Sequence, residues 1–181
     1  MRPNQHETQF VSYLRGLESQ QNRAALAALR RGLGKPPGAA PEMFPWVIPH
    51  LPDLGRRESD DFFLVAALWG LHPSYTGTGN LGTVMRQVRT SQGGSDSTEK
   101  RFVALLNARR EDLPGHLRHA VGLAKGQELS VNWTQLLADL RAWDWEEHPV
   151  QRAWAREFWR QERPADADHE ELTTQTSESE G

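Results

Sequence analysis

The residues with most to offer chemically are the arginines. Of 21 basic residues, eighteen are Arg and three are Lys (Lys35, Lys100, Lys125). Their spacing is helical. Arg23 and Arg30 are seven apart, with Arg31 and Lys35 following. Arg86 and Arg89 are three apart, Arg118 and Lys125 share a face, and Arg152, Arg156 and Arg160 repeat at i, i+4 and i+8. Arg101, Leu105 and Arg109 form one i,i+4 row, which on a continuous helix sets two guanidiniums about 12 Å apart. Like charges at that spacing cost roughly a few tenths of a kcal/mol per pair. Such rows are usually answered by an anion, either a carboxylate such as Glu157 or Glu162 or a phosphate. Recurrence over five helices favours phosphate, which the planar guanidinium fork binds well, and it points to backbone contact rather than base readout. The Arg:Lys ratio alone also fits the compositional habit of a GC-rich genome.

Other constellations carry less. The seven tryptophans include Trp69, Trp133 and Trp154 on apolar stripes, where burial is the expectation, and Trp145 and Trp159 off the stripes, where a base or a partner protein is within reach. Gly77-x-Gly79-x-x-Gly82 matches a dinucleotide fingerprint, but that motif works between a strand and a helix, and an apolar helix and Pro73 precede it here. His116-x-x-His119 with Asp112 lacks further converging ligands, so these read as surface histidines and no metal or cofactor is implied. Asp144, Glu146, Glu147 and His148 read as a polar turn before a helix. No nucleophile–base pair suggests itself, so no enzyme is expected.

The elements that must position these residues follow the 3.6-residue period. Phe10, Tyr13, Leu14 and Leu17 stripe one helix. Leu26, Leu29 and Leu33 stripe another, which stops at Gly34-Lys35-Pro36-Pro37-Gly38. A short helix spans Met43 to His50. Ser59-Asp60-Asp61 caps Phe62 to Leu71, apolar on all sides and therefore expected to be buried. After a polar loop from Ser74 to Asn80, Leu81, Val84, Met85 and Val88 stripe the next helix. Ser91-Gln92-Gly93-Gly94-Ser95-Asp96 reads as a flexible linker. Beyond it come stripes at Phe102, Leu105 and Leu106; at Leu113, Leu117, Ala120, Val121 and Ala124; at Trp133 to Trp143; and at Val150, Trp154 and Phe158. No period-2 run stands out. The expectation is all-α: an N-terminal helical bundle (1–90), a C-terminal four-helix bundle (97–163) and a tail (164–181).

The 181 residues suit one domain or two small ones. Without Cys there is no disulfide framework, thiolate metal site or cysteine nucleophile. Apolar runs are too short to span a membrane, and the polar N-terminus does not read as a signal peptide, so a soluble cytoplasmic protein is expected. The net charge of −3 is uneven. From Pro164 to Gly181 there are six acids and no Lys or Arg, leaving the rest of the chain with 21 basic against 18 acidic residues. That tail has too little apolar surface to bury and reads as disordered.

Taken in order, Leu29-Arg30-Arg31, Phe62 to Ala66, Asn80-Leu81-Gly82, Lys100-Arg101-Phe102 through Leu105-Leu106, Asp112-Leu113 with His116-Leu117-Arg118, and Val131-Asn132-Trp133 with Leu136-Leu137 resemble the CasB family. CasB is the small subunit of Cascade, the type I-E CRISPR surveillance complex. The resemblance covers about residues 8 to 160, is strongest from Leu81 to Trp143, and resides in the ordered series rather than in any one motif. It implies an all-α, non-catalytic protein present in two copies, set against the CasC backbone subunits and near the large subunit CasA. It also implies contact with an R-loop, in which guide RNA pairs with the target DNA strand and the displaced non-target strand lies in a basic groove. Arg30, Arg31, Arg101 and Arg118 match basic positions of the family pattern. Arg86, Arg89, Lys100, Arg109 and Arg110 join them on charge and proximity. The alternative from another class is an all-α adaptor whose arginines pair with acidic protein partners and never meet nucleic acid. A helical nuclease or nucleotide pyrophosphohydrolase would need carboxylates converging on Mg²⁺, a spacing the scattered acids lack.

Overall fold

A computed structural model describes residues 2–53 and 55–160. The acidic tail expected at 164–181 lies outside them. The described residues form nine α-helices: α1 (Gln5–Ser19), α2 (Arg23–Arg30), α3 (Phe44–Val47), α4 (Arg56–Leu71), α5 (Leu81–Ser91), α6 (Asp96–Leu106), α7 (Leu113–Gly126), α8 (Trp133–Arg141) and α9 (Pro149–Phe158). Short 3-10 turns flank α3, and the one β feature among these residues is an isolated parallel bridge between Tyr75 and Val131. None of the described helices is long and apolar enough to cross a membrane.

Asparagine starts four of the helices. Asn4 and Asn80 each close a capping box, with Glu7 and Thr83 respectively, while Asn22 accepts from the Ala25 amide at 3.0 Å and Asn132 from the Gln135 amide at 3.1 Å. Each side chain satisfies amides that the first helical turn leaves without partners, typically about 1 kcal/mol relative to Ala.

Helix α4 is the centre of the molecule. Every residue from Asp61 to Gly70 is buried, and α2, α7 and α8 pack around it. Gly70 allows close approach of α2: a Cβ there would stand 2.8 Å from the backbone N of Arg30. Gly82 does the same more tightly for α5 and α9, where a Cβ would overlap the Trp154 carbonyl oxygen. The last glycine of the apparent dinucleotide fingerprint therefore serves helix packing.

The segment 91–96 forms a tight turn between α5 and α6. Thr98 is buried and donates to Gln92 Oε1 at 2.6 Å, and Arg89 pairs with Glu99 across the turn at 2.9 Å. Helices on its two sides share one apolar core: α5 packs on α6, α7 and α9, and α4 on α7 and α8.

Two helix boundaries differ from the sequence reading. Helix α4 begins at Arg56, so Ser59-Asp60-Asp61 lie inside it and Asp61 is buried. Helix α6 ends at Leu106, because Asn107 turns back to donate from Nδ2 to the Val103 carbonyl at 2.9 Å. Arg109 therefore does not share a helical row with Arg101 but sits in the loop 107–112.

Candidate nucleic-acid interface

The loop 107–112 is held from beneath. The indole Nε1 of Trp143, a buried residue just past α8, donates to the Ala108 carbonyl at 3.1 Å. Arg110 folds inward and donates to Asp61 on α4 and to the Leu140 carbonyl at the end of α8, with Asp144 Oδ2 3.7 Å away. Burial pushes the Asp61 carboxyl up to about 6 against the opposing pull of Arg110. Pinned at these points, the loop exposes Arg109.

Three grooves adjoin around this loop. The first, about 890 Å³, is lined by Arg57, Arg109, Arg110, His148 and Arg152 together with Glu111 and Asp144. It shares Arg57, Arg110 and Glu111 with a second groove of about 650 Å³, to which Lys35 and Arg118 contribute. Gly115 links the second to a third of about 420 Å³, lined by Arg101, His116 and His119 with Asp112 over an apolar floor that includes Met85, Leu105 and Leu123. The Arg118 guanidinium lies over the 34–37 turn: Nη1 would be 3.0 Å from a Cβ at Gly34.

Around these grooves the cations divide into two sets. Arg57 pairs with Asp144, and Arg110 with Asp61 and Asp144. Lys35, Arg101, Arg109, Arg118 and Arg152 are exposed and make no ion pair among the described residues. The second set is what a polyanion would meet, and it is drawn from four places in the chain: the turn after α2, α6 with its following loop, α7, and α9.

The other predicted positions lie elsewhere. Lys100 is exposed on α6 without an ion pair among the described residues. Arg30 donates from Nε to the Gly70 carbonyl at 2.7 Å, reinforcing the α2–α4 contact, and Arg31 is 3.9 Å from Glu42 at the surface. Arg86 and Arg89 line a separate cavity and do not join the three grooves. Lys35, Arg57 and Arg152 line the grooves but were not among the expected site residues. Arg57 carried no signal in the sequence, because the helix was expected to start only at Ser59-Asp60-Asp61; its place at the first turn of α4, paired with Asp144, emerges only from the fold. His116 and His119 face one groove, yet no group of three or more His, Asp or Glu side chains among the described residues is placed to hold a metal.

Fold and surface together define a class: an all-α protein with a single packed core and a face on which cations from distant parts of the chain gather unpaired. Residues 25–159 match the family of CRISPR-associated protein Cse2. The chain is 40% identical over 153 residues to CRISPR-associated protein Cse2 of Thermus thermophilus, a match covering 83% of this chain and 88% of that one. It superposes on the crystal structure of CasB from Thermus thermophilus with a TM-score of 0.76 at 37% identity, covering 84% of this chain and 97% of that one. A chain of a CRISPR RNA-guided surveillance complex is similar at a TM-score of 0.73 and 27% identity, over 85% of this chain and 91% of that one. The chain belongs to the Cse2 (CasB) family of CRISPR-associated proteins.

Proposed function

We propose that the chain is the non-catalytic small subunit of an RNA-guided Cascade interference complex and stabilises the R-loop by gripping nucleic-acid backbone, chiefly the displaced non-target strand. Its partners in this reading are the CasC backbone, the large subunit CasA, a second copy of itself, the guide RNA and the two DNA strands. The observation that carries the reading is the gathering of Lys35, Arg101, Arg109, Arg118 and Arg152 around three joined grooves with no ion pair among the described residues. Family membership and the similar chain within a surveillance complex support it.

The energetics suit such a role. Exchanging a DNA duplex for an RNA–DNA heteroduplex is nearly balanced, so modest protein contacts tip it. Each cation that neutralises a phosphate releases a counterion, giving a contribution indifferent to sequence and steeply dependent on salt. A rigid grooved face also opposes reannealing. The strand contact falls to Arg101, Arg109 and Arg118 with Lys35 and Arg152. Lys100, Arg30 and Arg31, which lie outside the three grooves, are at most peripheral to the contact, while Arg110 positions the loop from within.

The test is charge reversal of Arg101 and Arg118 together in the assembled complex. Assembly should survive while R-loop lifetime and its salt dependence fall; unchanged target affinity and salt slope would leave the adaptor reading instead.

A further inference from the structure

Away from the three grooves, a cavity of about 460 Å³ lies where the end of α5 meets the end of α9, lined by Arg86, Arg89, Gly94, Trp159 and Arg160 among others. It shares no lining residue with those grooves. Trp159, just past the last residue of α9, is 43% exposed. Its ring is nonetheless fixed: Phe158 and Phe102 meet it edge-on with centroids 4.9 and 5.8 Å away, and Nε1 donates to Glu99 at 3.4 Å.

The cations beside it are also held. Arg89 bonds Glu99 at 2.9 Å and lies 5.7 Å over the Phe158 ring, while Arg86 Nη1 reaches the Arg160 carbonyl at 3.5 Å. The Nε groups of both Arg86 and Arg89 are buried without an acceptor. Arg160 has only a surface pairing with Glu157 at 3.6 Å. Three guanidiniums thus face two carboxylates, which leaves the cavity with an excess of positive charge. Gly94 contributes a wall without a side chain, and its left-handed φ of 83° sits beside open space.

We propose that this cavity binds one unstacked nucleotide of a single strand, the phosphate held by Arg86, Arg89 and Arg160 and the base stacked on Trp159. The inference rests on the reading of the chain as a strand holder and gives it a second contact of a different chemistry. The cavity falls within the roughly 300–1,000 Å³ of small-ligand sites. An inorganic anion would use the arginines and ignore the indole, and a docking protein would use the indole without needing the excess positive charge. A nucleotide uses both. Stacking is tolerant of sequence because every base has a π face.

The full chain is tested at low salt by fluorescence anisotropy with two labelled single strands of equal length, oligothymidylate and an abasic oligomer that keeps the phosphates. Loss of one stacked base through Trp159→Leu should weaken oligothymidylate binding about 10-fold while abasic binding changes less than about twofold. Trp159→Phe keeps a ring and should restore most of the difference even if the Leu variant packs poorly. Arg86→Gln should weaken both ligands. Equal losses for both strands, or none, in the Trp159 variants would overturn the nucleotide site while leaving strand binding by the grooves intact. If the unaltered chain binds neither oligomer, the strand-holder reading falls with it.

Discussion

Arg110 donates to the buried carboxylate of Asp61, while its neighbour Arg109 is exposed with no ion pair among the described residues. Two adjacent arginines, chemically identical, thus do opposite work. Removing one partner of a buried pair leaves the other charge uncompensated, so Arg110→Ala should cost roughly 3 kcal/mol of folding stability. Arg109→Ala should stay within about 0.5 kcal/mol of the parent. Urea denaturation of the two variants checks this, and equal effects would refute the division of labour.

The strand contact has a separate signature. For single strands the logarithm of affinity falls with the logarithm of salt by about 0.7 per phosphate neutralised. Arg101→Gln with Arg118→Gln should therefore flatten the salt slope by about 1.4 if each cation meets one phosphate. Arg30→Gln with Arg31→Gln should do less, since Arg30 is partly engaged with the Gly70 carbonyl and Arg31 faces Glu42. Titrations of a labelled single strand at several salt concentrations give both slopes. A parallel slope for the first variant would exclude these two side chains from the contact.

Much of the fold was legible because apolar periodicity reports burial directly. The run from Phe62 to Leu71 was expected to be buried on all sides; it is buried through Gly70, with Leu71 only partly so at the helix end, and Trp69, Trp133 and Trp154 are buried on their stripes. Trp145 and Trp159 fell off the stripes and are exposed. The arginine pattern was harder to read because charge spacing reports position on a helix only while the helix continues. Asn107 ended α6 before Arg109, and Arg110, adjacent in sequence, turned inward because Asp61 and the Leu140 carbonyl offered partners that no local pattern reveals. Lys35 and Arg152 reach the same surface from opposite ends of the chain, a juxtaposition that exists only after packing.

Asp139 gives a pH dependence with a definite sign. It is buried on α8 and accepts from Trp154 Nε1 and Gln135 Nε2, both at 2.7 Å. Burial raises its carboxyl from the ordinary 3.8 to about 6, outweighing those hydrogen bonds. Between these values the folded chain holds a proton that the unfolded chain releases. The stabilising contribution is therefore full below pH 3.8 and is lost as pH rises through about 6. Asp139→Asn removes that titration, so the variant should gain on the parent by up to about 3 kcal/mol between pH 4 and 7. Unfolding free energies measured across that range give the difference, and a difference constant with pH would contradict the assignment.

Two glycines in helices should respond to the same substitution in opposite directions. Gly16 on α1 has no heavy atom within 4 Å of where a Cβ would stand, so Gly16→Ala adds a methyl to free space. It removes backbone entropy from the unfolded chain and should stabilise by about 0.5–1 kcal/mol. Gly82 on α5 faces the α9 backbone, and a Cβ there would stand 2.8 Å from the Trp154 Cα. Backbone cannot rotate aside as a side chain does, so α5 and α9 must separate and Gly82→Ala should cost at least about 1–3 kcal/mol, as overpacked cores do. The displacement would also reach function, because α9 carries Arg152 to the first groove and leads into Trp159 at the separate cavity. Thermal unfolding together with single-strand affinity tests both consequences. Gly16→Ala should raise the Tm and leave affinity alone, whereas Gly82→Ala should lower both. A rise in Tm for Gly82→Ala would mean that the two helices have room to spare, and that their close approach does not set the position of the α9 residues.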